Sequence, residues 1–310
     1  MKQHWTAQFK HLPSGGFRVA LDATGLSLLV FFSLCSGHGA VARAQMFRGP
    51  AATVQPPQPL SLTSLQREIE RQRARLAASD AEERRDAVLR LGAIARPDSS
   101  RAALAALNDS APLVRATAAR SILSLPAAEA AARLVPLLRD RDEFVRREAA
   151  YALGETRSLI AVEPLVVALA RDREAGGRGA AAVALGMIGD ERAVPALTEA
   201  LGRRIARTGF FNRITFRKQE ENDFVRRASA VALGQIGSRE SAPALIAVLA
   251  NERAGDDVRR EAARALGLIG DPSAIPALRS ALTASDPYLS RIAIESLRQL
   301  DPVGAAHVVR

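Results

Sequence analysis

The chain has 310 residues and a formal net charge of +10, from 43 Lys and Arg against 33 Asp and Glu. With 48% apolar and 25% charged residues, wholesale disorder is excluded, and 4% aromatics argues against a long β-rich fold. A single cysteine, Cys35, excludes a disulfide framework and cysteine-based zinc sites, and four histidines (His4, His11, His38, His307) leave little for metal or acid–base chemistry.

Residues 1–44 read as an export signal. Lys2, Lys10 and Arg18 precede an apolar run from Leu26 to Cys35, and Ala42-Arg43-Ala44 forms a small-residue cleavage site before Gln45. The run is about half the roughly 20 residues that a membrane span needs. A lipoprotein site at Cys35 is disfavoured because Leu34 is too large for the processing enzyme. An uncleaved anchor and a start at Met46 stay open as alternatives. Cleavage after Ala44 would remove Lys2, Lys10, Arg18, Arg43 and Asp22 and leave 39 basic and 32 acidic residues, with no Cys, no Trp and one histidine, His307. No membrane span remains in that mature chain. Residues 45–60, holding Pro50, Pro56, Pro57 and Pro59, read as an extended linker.

Residues 61–78 predict an N-terminal helix with Leu62, Leu65, Ile69 and Leu76 on one side, its expected role being to cap the open end of a helical array that begins at Ser79.

From Ser79 the chain repeats itself. Leu113-Val114-Arg115, Phe144-Val145-Arg146, Phe224-Val225-Arg226 and Asp257-Val258-Arg259 each lead into an alanine-rich stretch. Three of these end in Ala-Leu-Gly, at 152–154, 232–234 and 265–267, and a fourth such ending, at 184–186, closes a degenerate copy that begins near Gly177-Arg178. The arginine column runs Arg84, Arg115, Arg146, Arg178, Arg226, Arg259, in steps of 31, 31, 32, 48 and 33 residues. A period of this size means a solenoid, and the step of 48 marks an insertion. Each copy predicts helix–turn–helix. Asp142 is the expected N-cap of one first helix and Gly154 its expected C-terminal glycine. Pro164, Pro195, Pro243 and Pro276 mark the starts of second helices, where a missing N–H costs little. Seven copies are expected, the last an atypical one from Asp286 with Ser290 in the arginine column.

The motif V-R-x-x-A-x-x-A-L-G, then a turn such as Ile269-Gly270-Asp271 and then Ala274-Ile275-Pro276-Ala277-Leu278, resembles the HEAT-like repeats named after phycobilin lyases. The resemblance covers roughly residues 79–300 and implies an all-α, right-handed α-solenoid with second helices on its concave face. That group includes bilin lyases and a related hydroxylase that uses paired His-Glu metal motifs. The present chain has no His-Glu dipeptide, and His307 alone cannot assemble a di-iron site, so the resemblance does not carry lyase or hydroxylase chemistry over. No nucleophile elbow, phosphate loop or H-E-x-x-H is present either, and no cofactor and no catalytic residue are expected.

Two features are candidates for binding. The arginine column either binds a polyanion or pairs internally with acidic residues near the repeat starts, such as Asp142, Asp223, Asp256 or Asp257; internal pairing is favoured. The insertion at 203–220 is the sharper candidate. Its stretch 203–218 holds six basic residues and no acid: Arg203, Arg204, Arg207, Arg213, Arg217 and Lys218. It also holds Phe210, Phe211 and Phe216, three of the six phenylalanines left after signal removal. A small hairpin about Asn212-Arg213 suits these residues, and clustered aromatics with arginine suit partner contacts. A longer connection whose phenylalanines pack on neighbouring helices is the alternative. The expected function is a non-enzymatic, exported scaffold, periplasmic or secreted from a bacterial cell, that binds an unidentified protein partner of the cell envelope through the concave solenoid face and the 203–218 insertion. Binding of a polyanion or nucleic acid is the alternative, opposed by the export signal and the absence of Trp for base stacking. The oligomeric state is not legible.

Overall fold

The computed structural model describes residues 62–206 and 218–302, which lie within one compact unit, Leu60–Arg310. The signal, the Ala44/Gln45 site and the linker lie outside the described residues.

Helix α1 (Ser64–Arg75) opens the described part. Thr63 and Gln66 form a reciprocal capping box at its start, the Gln66 Oε1 accepting from the Thr63 N–H at 2.8 Å. Six helix pairs come next: α2 (Ala81–Ile94) with α3 (Pro97–Ala103), α4 (Pro112–Ser121) with α5 (Ala127–Leu134), α6 (Glu143–Thr156) with α7 (Val162–Arg171), α8 (Ala175–Ile188) with α9 (Val194–Gly202), α10 (Asp223–Ile236) with α11 (Ala242–Ala250), and α12 (Asp256–Ile269) with α13 (Ile275–Ser280). The unpaired α14 (Pro287–Leu300) ends the described array, capped by the Asp286 carboxylate on the Tyr288 and Leu289 amides. The all-α solenoid of helical repeats expected from the sequence is thus borne out. One departure is small: β1 (Arg204–Ala206) and β2 (Lys218–Glu220) pair antiparallel across the foot of the insertion, with Ile205 opposite Gln219. Pairing at this foot is consistent with the step of 48. The expected turn about Asn212-Arg213 lies outside the described residues.

First helices stack on first helices, α6 on α8, α8 on α10 and α10 on α12. Their contact faces are almost wholly alanine: Ala149, Ala152, Ala181, Ala184, Ala230 and Ala232 expose nothing. Small side chains let helix axes approach closely, and the leucines between the layers (Leu153, Leu165, Leu185, Leu197, Leu233, Leu245) fill the remaining space. One hydrophobic core results, continuous from Ile69 to Leu297. Helix α1 packs on α2 and α3 and contributes Ile69 to that core.

The Ala-Leu-Gly glycine does not terminate the first helix, as the sequence pattern led us to expect of Gly154. Helix α6 continues to Thr156 and closes on Arg157 in the left-handed conformation (φ 51°). Gly154 instead marks a close approach, since a Cβ placed there would lie 2.8 Å from the Ala184 Cα of the next first helix. Gly234 stands in the same relation to Ala265. Left-handed closure falls three residues later, at Gly189, Gly237 and Gly270 in the later copies. The Asp142 N-cap is found as expected, its Oδ1 accepting from the Phe144 N–H at 2.9 Å.

Candidate functional site

The arginine column is an internal fastening through most of its length. Arg84 donates Nε and Nη2 to the two carboxylate oxygens of Asp109 at 2.7 and 2.8 Å. Arg115 does the same to Asp140 (2.8 and 2.8 Å), Arg146 to Asp172 (2.7 and 2.9 Å) and Arg178 to Glu221 (2.9 and 2.6 Å). The remaining Nη1 of each donates to backbone carbonyls five or six residues upstream, such as Asp109 O and Ser110 O for Arg115. The carboxylates also accept backbone amides, Ala111 N–H on Asp109 and Asp142 N–H on Asp140. Each unit thus ties the end of a second helix, the turn after it and the next repeat into one network, using the paired geometry that guanidinium and carboxylate favour.

For Arg84, Arg115, Arg146 and Arg178 the pairing partners are not the acids expected from the sequence, although the expected Asp223 does lie 3.5 Å from Arg226. Asp142 caps α6, and Asp256 belongs to no pair of this column. For Arg84, Arg115 and Arg146 the partners lie 25 or 26 residues beyond, two positions before the capping site, whereas across the insertion Glu221 lies 43 residues beyond Arg178, one position before the Asn222 cap. Two column members also depart from the expectation. Arg259 does not make the carboxylate contact; Arg260 does, to Asp286 at 2.7 and 2.9 Å, because Arg260 stands at the usual 26-residue distance and Arg259 at 27. Arg259 donates to the Leu249 carbonyl instead. At the position 25 residues past Arg226 stands Asn251, and Arg226 donates Nε to Leu201 O and approaches Asp223 at 3.5 Å.

The electrostatics track the pairing. The Arg84 guanidinium holds the Asp109 carboxyl below the usual aspartate range. Burial pushes Asp140 and Glu221 upward, but hydrogen bonds from Arg115 and Arg178 with neighbouring amides and charges outweigh it, and both end lowered. Arg84, Arg115, Arg146 and Arg178 spend their donors inside the fold and form no basic strip for a polyanion.

The insertion is clamped at its foot. The Glu221 N–H donates to the Arg203 carbonyl at 2.8 Å, while the Glu221 carboxylate, only 2% of the residue being exposed, receives Arg178. The extra residues behind the step of 48 therefore enter and leave at one point without displacing the column contact. Arg203 reaches back over α7, donating Nη1 to the Ala170 carbonyl at 3.1 Å and Nη2 to Glu199 at 3.1 Å. Arg204 and Lys218 sit in the paired strands. Arg207, Phe210, Phe211, Arg213, Phe216 and Arg217 lie outside the described residues.

A further feature is not apparent from the sequence pattern alone. Between the second-helix segments, the short 3-10 turn Val135–Arg139 after α5 and helix α7, lies an open groove of about 990 Å³. Its floor is apolar, with Pro136, Val167 and Ala168, and exposed Arg139, Arg141, Arg171 and Arg173 stand around it. Arg139 and Arg171 close the second helices of successive repeats and make no ion pair among the described residues. The sequence signal was present, as Arg-Asp-Arg at 139–141 and again at 171–173, one repeat apart. Its significance depended on knowing that the central aspartates are consumed by Arg115 and Arg146.

Models of HEAT repeats match residues 69–154, 131–208 and 253–310, and the PBS lyase HEAT-like repeat matches residues 225–251. The chain belongs to the HEAT-repeat family. No curated sequence relative was found. Among solved structures, the Escherichia coli YibA protein is similar with a TM-score of 0.53 at 19% identity, covering 76% of this chain and 81% of that one, which shows the shared fold alone. The complex of CpcE and CpcF of phycocyanin lyase from Nostoc sp. PCC7120 has a TM-score of 0.45 at 24% identity, covering 84% and 97% of the respective chains. Human deoxyhypusine hydroxylase has a TM-score of 0.36 at 21% identity, covering 76% and 96%.

Among the described residues no group of three or more His, Cys, Asp or Glu side chains is placed to hold an ion, and His-Glu pairs are missing from the whole sequence. Among the same residues no helix is long and apolar enough to cross a membrane.

Proposed function

We propose that this HEAT-repeat protein is a non-enzymatic, exported scaffold that binds a protein partner of the cell envelope through the second-helix face of its solenoid and the 203–218 insertion. The observation carrying the reading is the groove of about 990 Å³ beside α7, set on a core that runs unbroken through the array. A rigid array that offers its second helices in series suits an extended partner surface. The insertion opens next to that face, since Arg203 at its foot contacts the end of α7. Perturbed carboxylates occur only in arginine pairs and helix caps among the described residues, which supports binding over catalysis.

The test combines location and contact. The native chain is fractionated and its N-terminus read, with Gln45 in an envelope or secreted fraction as the expected result. A photoreactive residue replaces Val167 in the groove and, in a second strain, Thr117 on α4, which like Val167 is half-buried. A discrete protein crosslinked from position 167 and not from 117 is expected. A cytosolic chain beginning at Met1 or Met46 refutes export, and equal crosslinking from both positions refutes the binding face. Binding that falls steeply with salt on a nucleic-acid probe would favour the polyanion reading instead.

A further inference from the structure

Resting on the scaffold reading, we propose that the groove between the second helices of the second and third repeats recognises an acidic, extended segment of the partner, with carboxylates about every third residue in a polyproline II conformation. The charge balance sets the sign. Five arginines line the groove against three carboxylates, Asp140, Asp172 and Glu163. Two of those three are already taken, Asp140 by Arg115 and Asp172 by Arg146, each through two hydrogen bonds. Glu163 is the single lining acid left to face Arg139, Arg141, Arg171 and Arg173. Arg141 and Arg173 are oriented by backbone carbonyls, Ser110 O and Arg141 O, and only Arg173 nears a further acid, Glu174 at 3.9 Å. Carbonyl contacts position a guanidinium without neutralising it, so the surplus positive charge stays available to an anion.

The spacing sets the conformation. Arg139 and Arg171 occupy equivalent places at the ends of successive second helices. Packed helices stand about 8–10 Å apart. A polyproline II strand advances about 3.1 Å per residue with three residues per turn, so residues i and i+3 share a face about 9 Å apart. Acidic side chains at that interval meet successive arginines. The residues between them turn to the apolar floor of Pro136, Val167 and Ala168. A β-strand serves less well, because its i and i+3 side chains point to opposite faces. Guanidinium groups match carboxylates through paired hydrogen bonds, which suits this recognition to arginine and not lysine.

The probe is a fluorescein-labelled twelve-residue peptide repeating glutamate-proline-leucine, read by anisotropy against the full chain. The comparison peptide has the same composition with its glutamates clustered at one end. Arg139→Glu combined with Arg171→Glu is expected to weaken binding by about tenfold or more. Arg253→Glu combined with Arg298→Glu makes the same change in net charge at exposed sites elsewhere and is expected to leave binding within about twofold. Far-ultraviolet circular dichroism and the thermal midpoint confirm that both variants fold. Equal losses in the two variants, or equal affinity for the clustered peptide, overturn the proposal. A single-stranded oligonucleotide of equal charge that binds more tightly, and loses that binding in the groove variant alone, overturns it in favour of nucleic acid. The crosslinking experiment separates the two levels of the argument. A partner caught from position 167 through a segment lacking acids overturns the acidic assignment and retains the scaffold, whereas no partner at all overturns the scaffold.

Discussion

Gly234→Ala tests the claim that the Ala-Leu-Gly glycine exists for helix approach and not for helix ending. Gly234 lies inside α10, where alanine should gain about 1 kcal/mol of intrinsic helix propensity. Against that gain, the added Cβ would sit 2.9 Å from both the Cα and the Cβ of Ala265, and 3.4 Å from a Leu268 methyl. Carbon atoms rest about 3.5–4.0 Å apart, so α10 and α12 must part by about half an ångström or more. The methyl of Leu268 can turn aside, but the backbone of α12 cannot. Separation loosens an interface in which Ala230, Leu233, Ala262 and Leu266 are fully buried. Overpacking of this kind costs about 1–3 kcal/mol, in the upper part of that range when backbone is struck. The expected net effect is a loss of about 1–2 kcal/mol, or a fall of roughly 2–8 °C in melting temperature for an array of this size. Gly202→Ala is the matched control, at the last residue of α9 with nothing within 4 Å of its added Cβ, and should stabilise by about 0.4–1 kcal/mol. Urea unfolding followed by circular dichroism reads both. If Gly234→Ala is as stable as the wild type or more so, the close-approach explanation fails.

The remaining predictions concern the arginine–carboxylate network. Arg260→Ala should lower the urea midpoint more than Arg259→Ala, because Arg260 holds Asp286, which also caps α14; the reverse order would restore the column read from sequence. Glu221→Gln leaves the Arg178 charge without its counter-charge and should destabilise by about 1–3 kcal/mol, with faster hydrogen exchange at the Glu221 amide that closes the insertion foot. Acid should unfold the array progressively. Asp109, Asp140, Glu221 and Asp286 are all lowered in the fold, so the unfolded chain binds more protons in acid. Stability is then fully present above the ordinary carboxylate range and falls as the pH drops below about 4.5, through the lowered native values. A melting temperature unchanged from pH 6 to about pH 3 would contradict this.

Some of this molecule was plain in its residues. The period of 31–33, the Asp142 cap and the prolines at second-helix starts are local signals, each satisfied within a few residues of chain. The insertion was visible as a break in that period. The function of the Ala-Leu-Gly glycine was not, because a glycine near a helix end looks alike whether it closes the helix or admits a neighbour. Only the position of Ala184 or Ala265 against the missing Cβ distinguishes the two.

The sequence by itself determined that this is a helical array, where its copies begin and that an arginine recurs near the start of each copy but the last. Tertiary structure alone decided what those arginines do. A pairing between residues about 25 apart depends on how two helices and a turn fold back, and a one-residue offset turns a helical side chain by about 100°. That geometry gave Asp286 to Arg260 in place of Arg259, and gave Asp140 to Arg115 in place of Asp142. It also settled which positive charges are spent. Once Asp140 and Asp172 are held from within the fold, the arginines on either side of them are left facing the groove.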